Sequence, residues 1–114
     1  MSRIAISATS SGLDAEIEPR FCRSPLLLLV DPDTMVWESV ENPGRDTRGG
    51  AAPRVAQILT DLDVSDVVSG GFEPSAHDAF QTAGIVVHRC DLGASVRQAV
   101  QQLRAGELPE DFWK

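Results

Sequence analysis

Leu26-Leu27-Leu28-Leu29-Val30 is an unbroken apolar run of strand length, the pattern of a strand buried on both faces. Asp31-Pro32-Asp33-Thr34 follows as a turn, because proline presets φ at its second position. From Met35 to Glu41 the pattern alternates, with Val36, Glu38 and Val40 against Trp37, Ser39 and Glu41. The chain therefore returns antiparallel, and residues 26–41 read as a β-hairpin. Ahead of it, Arg3-Ile4-Ala5-Ile6-Ser7 is a short strand, and Ala8–Gly12 is a loop of small residues. Leu13 to Pro25 contains Pro19 and Pro25 and is expected to be irregular.

Beyond the hairpin the period changes. Val55, Ile58, Leu59 and Leu62 recur at i, i+3, i+4 and i+7, which predicts an amphipathic helix from about Ala52. Val64–Ser69 is a strand closed by Gly70-Gly71. Pro74 opens a second helix with Ala76, Ala79, Phe80 and Ala83 on one face, and Gly84 ends it. Ile85–Arg89 is a fifth strand. A third helix places Val96, Val100 and Leu103 inward and stops at Gly106. The order β, β, β, α, β, α, β, α predicts one α/β domain over residues 1–106, a mixed sheet covered by helices. Residues 107–114 read as a tail, in which Trp113 either docks or is loose.

Composition narrows the partners. The 114 residues, 42% hydrophobic and 24% charged, have ordinary globular usage. No apolar run approaches the roughly 18 residues of a membrane span, and the first residues lack a signal-peptide pattern, so the expected location is cytoplasmic. A net charge of -7 with one lysine, Lys114, argues against nucleic acid. Arg20, Arg23, Arg45, Arg48 and Arg54 nevertheless fall within 35 residues. Such a cluster on an acidic chain suits a small anionic ligand, or else is a set of scattered surface arginines. Cys22 and Cys90 form no C-x-x-C pair, and with His77 and His88 they supply no closely spaced four-ligand metal site.

Ligands of such sheets sit outside the carboxyl ends of parallel strands. Here those ends are Ala8–Gly12, Gly70–Pro74 and Cys90–Gly93, and the loop of residues 45–50 enters a helix amino end, which favours anions.

Five segments in order carry a resemblance: Arg3-Ile4-Ala5-Ile6; Gly12-Leu13-Asp14-Ala15-Glu16-Ile17-Glu18-Pro19-Arg20-Phe21-Cys22-Arg23; Val40-Glu41-Asn42-Pro43; Gly50-Ala51-Ala52; and Val67-Val68-Ser69-Gly70-Gly71-Phe72-Glu73-Pro74-Ser75-Ala76. Over about residues 3–106 the chain resembles the dinitrogenase iron-molybdenum cofactor biosynthesis family, and within it the stand-alone small members of the orange-protein type. The resemblance implies a three-layer α/β/α ribonuclease H-like fold. Its five-stranded mixed sheet has order 3-2-1-4-5 with the second strand antiparallel. It also implies a non-catalytic, monomeric carrier of an anionic metal–sulfur cluster, either an iron-molybdenum cofactor precursor or a molybdenum–copper sulfide. The alternative is a regulatory module that binds no metal and works with a ParA/Mrp-type P-loop ATPase.

The implied cluster-binding set is Ser10, Ser11, Gly12, Arg20, Phe21, Arg23, Arg48, Gly49, Gly50, Gly70, Gly71 and Phe72, with Cys22 and His77 as metal ligands. Arg20 stands where many relatives have histidine, and Cys22 where they have glycine. Guanidinium groups suit a sulfide polyanion, or else Arg20 and Arg23 pair with Asp14, Glu16 or Glu18. Cys22 is a soft ligand with a thiol pKa lowered by arginines, or else fills a glycine site. Glu73 puts a negative charge beside the anion site. His77 either reaches the glycine loop or sits solvated on its helix. Cys90 and His88 are read as structural. The first strand lacks the carboxylates of a two-metal nuclease, and Ala8–Gly12 is no Walker A loop.

Overall fold

The computed structural model of the protein describes residues 2–42, 51–108 and 110. Five strands form one sheet: β1 (Arg3–Ala8), β2 (Leu26–Val30), β3 (Trp37–Glu41), β4 (Val64–Ser69) and β5 (Val86–Arg89), in the order β3-β2-β1-β4-β5. β2 runs antiparallel to β1 and β3, with Ile6 opposite Leu28, and β4 lies parallel to both β1 and β5. The expected order and the antiparallel second strand are both found.

The leucine run works as its pattern requires. Leu27 and Leu29 face one core with Ala5, Val67 and Val87, and Leu28 and Val30 face the other with Ile4, Ile6 and Val68. The first face is covered by α1 (Ala51–Asp61) through Val55 and Leu59 and by α2 (Pro74–Thr82) through Ala76 and Phe80. The second face is covered by α3 (Val96–Arg104) through Val96, Ala99 and Val100. Each fully buried aliphatic side chain contributes about 1.5–3 kcal/mol. No helix among the described residues is long and apolar enough to cross a membrane.

The helix ends follow local chemistry. Ser95 caps α3, its hydroxyl accepting from the Gln98 amide while the Gln98 side chain accepts from the Ser95 amide. α2 stops at Gly84, whose φ of 77° lets the Ile85 amide turn back to the Phe80 carbonyl at 2.8 Å. Ala83, expected on the inner face of α2, is instead exposed, because the helix has already ended there as Ala83 becomes its C-cap. The segment after α3 does not stand clear of the domain: Leu108 packs against the α3-side core.

Candidate functional site

The irregular segment between β1 and β2 is held by long-range polar contacts that periodicity does not encode. The Glu18 amide donates to the Ser7 carbonyl at 3.0 Å. The Glu18 carbonyl is within reach of two fully buried hydroxyls, those of Ser7 and Ser69, themselves 2.7 Å apart. This stitches the segment to the ends of β1 and β4. One step further, the Phe21 amide donates to the Gly71 carbonyl. The buried Asn42 side chain donates to the Phe21 carbonyl at 2.8 Å and to the Ser24 hydroxyl at 3.1 Å. Asn42 is thus a positioning residue that the sequence reading did not assign.

The result brings Arg20, Gly71, Phe72 and Glu73 around a small hollow of about 220 Å³, with Pro19 beside them. Gly70 sits where the exposed Leu92 side chain and the Pro19 backbone come close. A Cβ there would meet the Leu92 side chain at 2.5 Å and the Pro19 backbone at 3.2 Å. The glycine amides do not point freely into the hollow: Gly70 donates to the Glu18 carbonyl and Gly71 to the Ser69 hydroxyl. Arg20 is exposed and makes no ion pair among the described residues. Asp14, one expected surface partner for the arginines, instead pairs with Arg97 at 3.2 Å.

Phe21 is fully buried, so it positions its neighbours rather than lining the hollow. It stacks on Phe72 at 5.2 Å and meets Phe80 edge-on at 5.4 Å. His77 is also buried rather than solvated, edge-on to Phe72 at 5.8 Å, because the loop before α2 folds Phe72 back over the first helical turn. Ser10, Ser11 and Gly12 line a different hollow of about 490 Å³, with Leu13, Trp37 and Arg97. Leu13, Ala15 and Ile17 pack on the α3 side of the sheet, whereas Phe21, Cys22 and Phe72 pack on the α1–α2 side. The sequence-predicted set is therefore split between two places. Arg48, Gly49 and Gly50 lie outside the described residues.

Cys22 is buried, and its thiol is pushed up to about 12, chiefly by desolvation and then by the Glu73 carboxylate, which also accepts its hydrogen bond. Arg23 acts in the opposite direction and more weakly, so the expectation that arginines would make Cys22 a ready thiolate is corrected. Glu73 is the N-cap of α2 yet makes no side-chain capping bond. No group of three or more His, Cys, Asp or Glu among the described residues could hold a metal ion. Native Cys22 is therefore expected to react with iodoacetamide at pH 8 roughly a thousandfold more slowly than an ordinary thiol, and Glu73→Gln should raise the rate. Mass spectrometry of the alkylated peptide checks this. A rate within tenfold of the urea-unfolded chain would contradict it. The sign for stability follows: the unfolded thiol loses its proton near 9.0 and the folded one does not, so stability falls as pH rises above that value.

A family model described as dinitrogenase iron-molybdenum cofactor matches residues 2–106. Among solved structures, the apo form of the orange protein from Desulfovibrio gigas is 38% identical, with a TM-score of 0.89 over 97% of this chain and 93% of that one. A candidate NifB protein from Thermotoga, of the DUF35 family, is 28% identical, with a TM-score of 0.82 over 100% and 98% of the two chains. A candidate dinitrogenase from Methanocaldococcus jannaschii, at 17% identity and a TM-score of 0.66 over 96% and 93%, shares the fold. No curated protein matches the chain.

Proposed function

The chain belongs to the dinitrogenase iron-molybdenum cofactor family, and from that premise we propose that it is a non-catalytic carrier of an anionic metal–sulfur cluster. The cargo is an iron-molybdenum cofactor precursor or a molybdenum–copper sulfide cluster, held without a protein–metal bond. The observation that carries this reading is the donor set around the Arg20 hollow. It offers an exposed guanidinium and an aromatic face beside a buried, protonated thiol, and among the described residues no group of three or more His, Cys, Asp or Glu converges there. Guanidinium is weakly hydrated and presents several fixed donors, which suits the sulfur atoms of a polyanion. Arg23, two residues beyond Phe21, supplies further positive charge, acting on Cys22 in the sense opposite to Glu73.

The binding surface centres on Arg20, Gly71 and Phe72, with Phe21, Asn42 and Gly70 setting their positions. The second hollow at Ser10–Gly12 is not needed for it. Anaerobic incubation with tetrathiomolybdate and copper(I), followed by gel filtration, visible spectroscopy and metal analysis, tests the proposal. The expected outcome is a coloured protein with a stoichiometric molybdenum content. Colourless, metal-free protein that instead stimulates a ParA/Mrp-type ATPase would support the regulatory alternative.

A further inference from the structure

His88 is a buried titratable group that the proposed binding surface does not use. It lies on β5, the edge strand, and is 6% exposed. Its Nε2 is 2.8 Å from Asp66 Oδ2 on the neighbouring β4, and its Nδ1 is 2.8 Å from the Leu108 carbonyl oxygen. Both partners are acceptors. A peptide carbonyl has no proton to give. The Asp66 carboxyl is held below its usual range, first by the His88 hydrogen bond and further by the Ser65 hydroxyl, so it is ionised at neutral pH. A neutral imidazole has one N–H and satisfies only one of these partners. The imidazolium satisfies both.

The second partner belongs to the segment after α3. Leu108 packs against the α3-side core, and Glu110 forms an antiparallel bridge with His88 itself. That segment therefore covers part of an otherwise open sheet edge, a place where unpaired strand groups invite pairing with another chain. The geometry points to protonated His88 as a pH-sensitive latch that holds the segment at Leu108 and Glu110 against the β5 edge. Among the described residues, the charged groups on the adjoining elements include Asp66 on β4, Arg89 on β5, Arg104 at the end of α3, and Glu107 and Glu110 beside Leu108. The three carboxylates favour the imidazolium and the two arginines oppose it. The docked segment favours the protonated ring, so docking is complete at low pH and is lost as pH rises through the His88 midpoint.

Ring nitrogen NMR of the full chain between pH 5 and 10, read beside hydrogen exchange of the Glu110 amide corrected for its intrinsic pH dependence, tests the latch. The expected result is a His88 ring carrying both protons at neutral pH. Its midpoint should lie at least about one unit above the ordinary histidine value near 6.5. Glu110 protection should fall about tenfold or more across that same midpoint. Asp66→Asn should lower the midpoint and the loss of protection together. A singly protonated His88 at neutral pH, or Glu110 protection that ignores the His88 titration, would overturn the proposal on the wild-type chain alone, whether or not the variant folds.

Discussion

Phe21→Ala is expected to destabilise the domain by about 3–5 kcal/mol. Phe21 is fully buried at the meeting point of two other rings, stacked on Phe72 and edge-on to Phe80. Truncation loses the transfer energy of the ring and leaves a cavity whose walls are pinned. The backbone of residue 21 is bonded to Gly71 on one side and Asn42 on the other, so the site cannot collapse easily. A small domain has about 5–15 kcal/mol in total, so this single change removes a large share. Urea unfolding followed by circular dichroism should show a much lower midpoint at an unchanged slope. A loss below about 1 kcal/mol would mean that the three-ring cluster is not the core of that face. The same experiment separates roles, because a residue that only touched cargo would change binding and leave the midpoint where it was.

Arg20→Ala combined with Arg23→Ala is expected to weaken tetrathiomolybdate binding roughly 10–100-fold, since each hydrogen bond to a charged partner contributes about 1.5–3 kcal/mol and Arg20 is exposed to solvent. The fold should survive, because both side chains are exposed and neither belongs to a core cluster. The effect should shrink as salt is raised. Titration followed by visible absorbance, with circular dichroism as the control, gives the answer. Unchanged affinity in a natively folded double variant would reduce the arginines to surface groups.

The elements were legible because their residues carry their own period. Five consecutive apolar residues call for burial on both faces, and residues 27–30 are buried, with Leu26 half-buried at the strand's start. Val55 and Leu59 at helical spacing have to face a core, and they do. Residues 13–25 were not legible, because their order comes from partners far along the chain: Ser7, Ser69, Gly71 and Asn42. The site suffered for the same reason. Ser10–Gly12 and Arg20 are close in sequence, yet the stitch at Glu18 carries the chain from the α3 side of the sheet to the α1–α2 side. His77 looked solvated because nothing local announces that Phe72 folds over it. Of the two readings of Cys22, the ready thiolate fails and the buried filler fits, because nearby arginines are visible in the sequence, whereas burial and the Glu73 hydrogen bond arise only in the fold. The glycine pair was legible as a tight place, but its amides are already bonded, so its role is approach rather than anion capture.

In the proposed binding mode the cargo is held by shape and donated hydrogen bonds, not by ligation to sulfur. Cys22→Ser tests it most directly, because serine keeps the size and hydrogen bonding of the site and removes the soft donor. Variant and parent are reconstituted anaerobically under identical conditions, and molybdenum and copper are measured per folded chain. Non-covalent binding predicts that the Cys22→Ser protein retains most of its metal and its visible band. Loss of more than about half the metal with the fold intact, the outcome expected when one strong ligand is removed, would contradict it and make Cys22 a ligand.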